Sequence, residues 1–228
     1  MDNLTLLQDI PFEIDLDALH KTTRVPADSS HSHELADLTA HALAIARPKA
    51  IYKVAFIEDK EDDRVVIDGI SFTSRILRVN LENAHRVFPY IATCGAELHE
   101  WARSLPDLLV QFWAEKIEEI ALGQAIRYLN AYIDRTYQPG ATAVMNPGSL
   151  TDWPLKEQQH LFALLDNRST EIGVHLSDSF LMTPTKSVSG IRFPTEYDFQ
   201  SCQLCPRPNC PGRRAPYDQD LYDKRYKR

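Results

Sequence analysis

Three cysteines crowd the run CQLCPRPNC, where Cys202, Cys205 and Cys210 have the spacing C-x2-C-x4-C. Two thiolates separated by a tight turn present both sulfurs to one side, which is how such a pair grips a single metal ion. Pro206, Pro208, Pro211 and Gly212 supply turns around them. Zinc closes a structural shell with four ligands, and iron–sulfur clusters commonly take four thiolates. Cys94 ends a predicted strand and is the candidate fourth ligand, with a histidine as the alternative. Three reduced surface thiols are the competing reading. The spacing is not C-x3-C-x2-C, so radical chemistry through a cleaved sulfonium donor is not indicated.

A second group of polar residues sits in otherwise apolar sequence. LMTPTKSVSGIRFP carries Lys186, Ser187, Ser189 and Gly190, the composition of a strand whose face or edge meets a polar ligand, or simply water. MNPGSLTDWP holds Asn146, then the turn signal Pro147-Gly148, where glycine lets a ligand approach the backbone. Asp152 and Trp153 follow, just before the helix opened by Pro154, and an aspartate there caps free N–H groups. A binding loop and a capped helix entry fit equally well. On the longest helix, Glu115, Glu118 and Glu119 include a possible inward acid against a background of solvated charge. His31 and His33 are two apart, which on a helix points them to different sides, so a capping segment is favoured over a metal site. No G-x-G-x-x-G, Walker loop, G-x-S-x-G elbow or H-E-x-x-H is present, so a Rossmann crevice has no support.

The 228 residues suffice for one large domain, and the composition is that of a globular chain. A net charge of −7 argues against nucleic acid, whose phosphates need a basic footprint. From 201 to 228 there are seven Lys/Arg against three Asp/Glu, leaving −11 for the first 200 residues. No apolar run approaches the roughly 20 residues that span a bilayer, and MDNLTLLQDI lacks a basic leader. A cytoplasmic protein with reduced thiols is the expectation, without membrane or nucleic-acid partners.

These residues must be held by elements that the periodicity outlines. FEIDLD reads as a brief strand, and HELADLTAHALAIAR as a helix with Leu35, Leu38, Ala42, Leu43 and Ile45 on one face, ending before Pro48. AIYKVAFIE and RVVIDG flank a charged turn and predict a hairpin. TSRILRVNLENA predicts a short helix, and RVFPYIATCG a buried strand that Pro89 makes an edge or interrupted one. A helix over AELHEWARSL and a long one over 107–137 follow, with Gly123 marking a candidate close approach. QPGATAVMNPGSLTDW reads as a loop, PLKEQQHLFALL as a helix, and IGVHLSDSFLMTP with KSVSGIRFP as strands. Helices and strands without regular alternation give an α+β fold.

Two stretches, NPGSLTDWPLKEQQHLFALL and IGVHLSDSFLMTPTKSVSGI, resemble the activation domain of vitamin B12-dependent methionine synthase. The matching positions are Pro147, Gly148, Leu176, Ser177, Asp178, Ser179, Phe180, Met182, Pro184, Ser187, Val188, Ser189 and Gly190, and YIATCG is similar to a family strand end. The clear likeness spans about 145–191, and the chain looks most like free-standing members with a cysteine-rich end. The resemblance implies a C-shaped α+β domain over 1–200, with a twisted antiparallel sheet and flanking helices, followed by a cysteine-rich basic tail over 201–228. It also implies a partner methyltransferase or corrinoid protein carrying cobalamin, with S-adenosylmethionine as methyl donor when the cobalt must be reductively remethylated. Zinc or an iron–sulfur cluster would sit at the cysteines. Asn146–Trp153 and Lys186–Gly190 would then line one cleft. Two departures weaken donor binding: Val144 stands where the family has an arginine, and Ser149 where it has a tyrosine. The competing functions are an iron–sulfur protein that reduces cob(II)alamin, and a corrinoid-protein binding module with structural zinc.

Overall fold

A computed structural model describes residues 3–197, 199–210 and 212–227. The elements in chain order are β1 (Leu4–Leu7), α1 (Leu16–Thr23), α2 (His31–Ile45), β2 (Lys49–Lys53), β3 (Ala55–Glu61), β4 (Arg64–Ile67), β5 (Ile70–Thr73), α3 (Arg75–Asn80), β6 (Arg86–Thr93), α4 (Ala96–Ser104), α5 (Leu108–Tyr137), β7 (Thr142–Met145), α6 (Gln158–Leu164), β8 (His175–Leu176), β9 (Met182–Thr183) and β10 (Ser187–Pro194). Eight strands form one antiparallel sheet and β8–β9 a separate ribbon, which is the expected α+β architecture with flanking helices.

The sheet turns on β6. One of its edges pairs with β10, which in turn pairs with β7. The other edge is shared: β2 takes Tyr90–Thr93 and β3 takes Arg86 and Val87. Pro89 is therefore in a central strand rather than an edge. It lies opposite Ile191 on the β10 side and, on the other, in the gap where β2 gives way to β3, so a residue without an N–H costs little there. The same gap splits AIYKVAFIE into two strands at Val54, whose N–H donates to Asn3 O at 2.9 Å. The β3–β4 hairpin forms as predicted. FEIDLD is not a strand; its final residues begin α1, capped by Asp15.

Period-two alternation gives each face of the sheet its own cover. Even-numbered residues of β6, Phe88, Tyr90 and Ala92, pack with Ala125, Leu129 and Ile133 of α5. Cys94 continues that side into a cluster formed by α1, α2, α4 and the first half of α5. Residues of the opposite parity, Val87 and Ile91, meet the clusters that include α3, α6 and β8–β9. Asp107 starts α5 by accepting from the N–H groups of Leu109 and Val110 at 2.8 and 3.1 Å, and Gln138 ends it in a left-handed conformation. Gly123 marks no close backbone approach, since a Cβ there would meet only the Arg127 side chain. Leu43 is exposed rather than on the buried face of α2.

The segment after residue 200 packs on the body: Leu204, Cys205 and Leu221 lie against the cluster on the α3 side, and Tyr226 is buried within it. The sequence-based loop over 138–153 contains β7, which is hydrogen-bonded to the end of β10.

Candidate functional site

β10 carries most of the residues singled out in the sequence, and its alternation decides which can act together. Lys186, immediately before it, reaches α5, with Nζ 3.0 Å from Glu119 Oε1 and 4.0 Å from Glu115 Oε2. Val188 lies on that side, and so does Arg192, which donates to Asn130 O at 3.0 Å and Asp134 Oδ1 at 2.6 Å. Ser187 and Ser189 point through the other face. Ser187 Oγ donates to Thr93 Oγ1 at 2.8 Å, and Ser189 Oγ to Gln158 Oε1 at 2.7 Å beneath α6. Lys186 therefore does not share a cleft wall with Ser187 and Ser189. The expectation of a single polar face fails because neighbouring strand residues alternate.

The loop after β7 closes on β10 at one point. Asn146 Nδ2 donates to Ser189 O at 2.8 Å and lies 3.2 Å from Tyr90 Oη. Gly190 serves that contact, since a Cβ there would come within 2.5 Å of Asn146 Nδ2 and 2.7 Å of Met145 O. Pro147 is buried; Gly148, at φ +82°, donates its N–H to Trp153 O at 2.8 Å. Beyond this the loop turns away. Asp152 Oδ2 accepts from Ser74 Oγ and, at 2.9 Å, from the N–H of Ile76, so it helps to cap α3 from a distant part of the chain. Trp153 is fully buried, edge-on to Phe72. Asn146, Ser189 and Gly190 are thus brought together, whereas Asp152 and Trp153 belong to the α3 side and Lys186 to the α5 side.

The densest buried chemistry lies beside Lys186, between α4 and α5. Glu118 and His99 side chains are only 2% and 8% exposed, with His99 Nδ1 at 2.8 Å from Glu118 Oε1. The Cys94 thiol donates to the same oxygen at 3.6 Å. Burial pushes the Glu118 carboxyl up from its ordinary range, opposed by His99, Cys94 and Lys186. Burial, then the neighbouring carboxylate, push the Cys94 thiol up strongly, which keeps it protonated. Glu118, His99, Gln111 and Thr185 line a cavity of about 100 Å³ whose rim includes Arg103. His99, Arg103 and Thr185 also line an adjoining open hollow with Thr183. The arrangement can hold one proton between an imidazole and a carboxylate, out of water. Of the three helix glutamates, Glu118 is the inward one. Its spacing from Ala114, Ile117, Ala121 and Ala125 on the buried stripe was the available signal. His99 had no such signal, because only the packing of α4 on α5 gives it a partner.

The cysteines are not assembled. Among the described residues no group of three or more His, Cys, Asp or Glu side chains could hold a metal ion. Cys94 belongs to the α2–α4–α5 cluster, and Cys205 packs against the cluster on the other side of the sheet. The metal or cluster set Cys202, Cys205, Cys210 and Cys94 thus has no support from the structure. A guanidinium staples the tail instead. Arg213 donates to the carbonyls of Cys202 at 3.1 Å, Ala215 at 3.2 Å and Cys205 at 3.1 Å, and also to Arg207 O. Backbone N–H groups, chiefly that of Arg214, hold the Cys202 thiol below its ordinary value. In the native protein we expect Cys202, Cys205 and Cys210 to undergo fast thiol–disulfide exchange with a chromogenic disulfide reagent and Cys94 to react only on unfolding, measured as fast and slow fractions of the released coloured thiolate. A fast fourth thiol would contradict the buried Cys94–Glu118 contact.

Residues 130–200, from the second half of α5 through β10, match the sequence model of the family described as vitamin B12 dependent methionine synthase, activation domain. This stretch contains β7, the Asn146–Gly190 closure, α6 and both ribbon strands. No curated protein matches the chain by sequence. The fold is similar to that of the MetH reactivation domain, solved bound to AdoHcy, with a TM-score of 0.59 at 14% identity, covering 86% of this chain and 80% of that one.

Proposed function

We propose that this chain is an activation unit for a cobalamin-dependent methyltransferase carried on a separate partner protein. The supporting observation is the family match over 130–200, a stretch that contains the paired strands β7 and β10, closed on each other by Asn146 across Gly190. The unit acts by docking on the cobalamin-bearing partner and positioning its reacting groups, which is catalysis by proximity.

The residues around β7 do not provide a cationic clamp for the carboxylate of an S-adenosyl donor. Val144 is paired with Arg192 across β7 and β10, but that guanidinium is buried and committed to Thr142 Oγ1 at 2.9 Å, Asn130 O and Asp134. On this reading the cobalamin is carried by the partner, and this chain supplies the surface that holds it in an accessible state.

The test uses the full chain and a methyltransferase loaded with cob(II)alamin. We expect a complex detectable by sedimentation, and a faster return of the methylcobalamin spectrum under reductant and S-adenosylmethionine when the chain is present. A partner that neither sediments with the chain nor recovers faster would refute the proposal.

A further inference from the structure

A second cavity, of about 350 Å³, lies far along the chain from the polar cluster at Glu118, between the 150–152 loop, α3 and the segment after residue 200. We propose that it is a binding site for a small organic cation attached to an apolar or aromatic body. Its volume falls in the range of small-molecule pockets. The walls are Ile76, Leu150 and Leu204, with the rings of Tyr217 and Tyr222 beside them. Both tyrosines are conspicuously open to solvent, at 48% and 44% exposure.

The charged residues of the lining are all of one sign, beside the neutral Thr151 and Gln219. Asp152, Asp218 and Asp223 contribute carboxylates, and no lysine or arginine is among the lining residues. Asp152 spends Oδ2 on α3, and Asp218 spends Oδ1 on the N–H groups of Asp220 and Leu221, so each keeps a second oxygen. Asp223 meets Lys227 at 3.2 Å in a pair more than 60% exposed, which water largely screens. Three other cations of this basic segment are engaged elsewhere: Arg213 on backbone carbonyls, Lys224 on Asp220, and Arg225 over the Tyr197 ring at 4.1 Å. Apolar walls favour a ligand body that leaves water, two tyrosine rings in the lining favour a cation beside them, and the carboxylates exclude anions.

Benzyltrimethylammonium is the probe, compared by calorimetry with the uncharged benzyl tert-alcohol of the same shape. We expect the cation to bind about tenfold more tightly than the alcohol, and Tyr217→Leu or Asp223→Asn to weaken it several-fold. Thermal unfolding of each variant checks that the fold is kept. Equal affinity for the two probes would make the cavity merely apolar and overturn the inference. So would the absence of binding at about 10 mM, a concentration above the weak end of the usual affinity scale, or undiminished binding by both variants. None of these outcomes depends on a methyltransferase partner.

Discussion

Glu118→Ala is expected to destabilise the protein by roughly 3 kcal/mol, the lower end of the cost of removing one member of a buried charged pair. His99 then loses an acceptor 2.8 Å away. The Cys94 thiol loses the same oxygen, and a void is left in the α4–α5 contact. Glu118→Gln separates charge from shape. Burial raises the Glu118 carboxyl in the folded state, so its contribution is complete below the ordinary carboxylate range and is lost as pH rises through the raised folded value. Glutamine has no such dependence. The stability of Glu118→Gln relative to the parent should therefore increase as pH is raised from about 4. Urea unfolding across a pH series reads the difference, and parallel curves for the two proteins would show that Glu118 is solvated.

Tyr226→Ala should cost about 3–5 kcal/mol, the usual loss for truncating a buried aromatic. Its ring is 1% exposed, packs near Phe199, and sends its hydroxyl to Asn80 Oδ1 at 3.0 Å. Arg75 Nε also donates to Tyr226 O at 3.1 Å, so both ends of α3 depend on the last residues of the chain. Tyr226→Phe keeps the ring and should lose only about 1 kcal/mol, the net worth of one hydrogen bond. Thermal unfolding distinguishes the two. If the alanine variant melts with the parent, the segment after residue 200 is an appendage rather than part of the core.

The element pattern was legible in the sequence wherever a local period carries the information. The buried stripe of α5 from Trp113 to Leu129, the β3–β4 hairpin, α3 and β10 follow from apolar spacing and turn residues, whereas IGVHLSDSFLMTP forms only the short ribbon β8–β9; the motif over that ribbon and β10 pointed to the family whose model matches residues 130–200. Pro89 and the loop over 138–153 were misread for one reason. Whether a strand is central or a short run pairs at all depends on which distant strand lies alongside, and here β10 supplies that partner to both β6 and β7.

The candidate site divides in the same way. That Lys186, Ser187, Ser189 and Gly190 belong to one strand could be read from composition. That they face opposite layers follows from alternation, but which layer is polar was decided by α5 on one side and α6 on the other. The clustering of Cys202, Cys205 and Cys210 is a fact of sequence; a metal shell needs a fourth ligand in space, and Cys94 lies instead in the core between α4 and α5. By itself, then, the sequence determined most of the elements and the family likeness of its later part, because those rest on neighbours along the chain. The pairing of His99 with Glu118, the capping of α3 by Asp152 and the acidic cavity under the final segment were decided by tertiary structure, because each joins residues that meet only after the layers have packed.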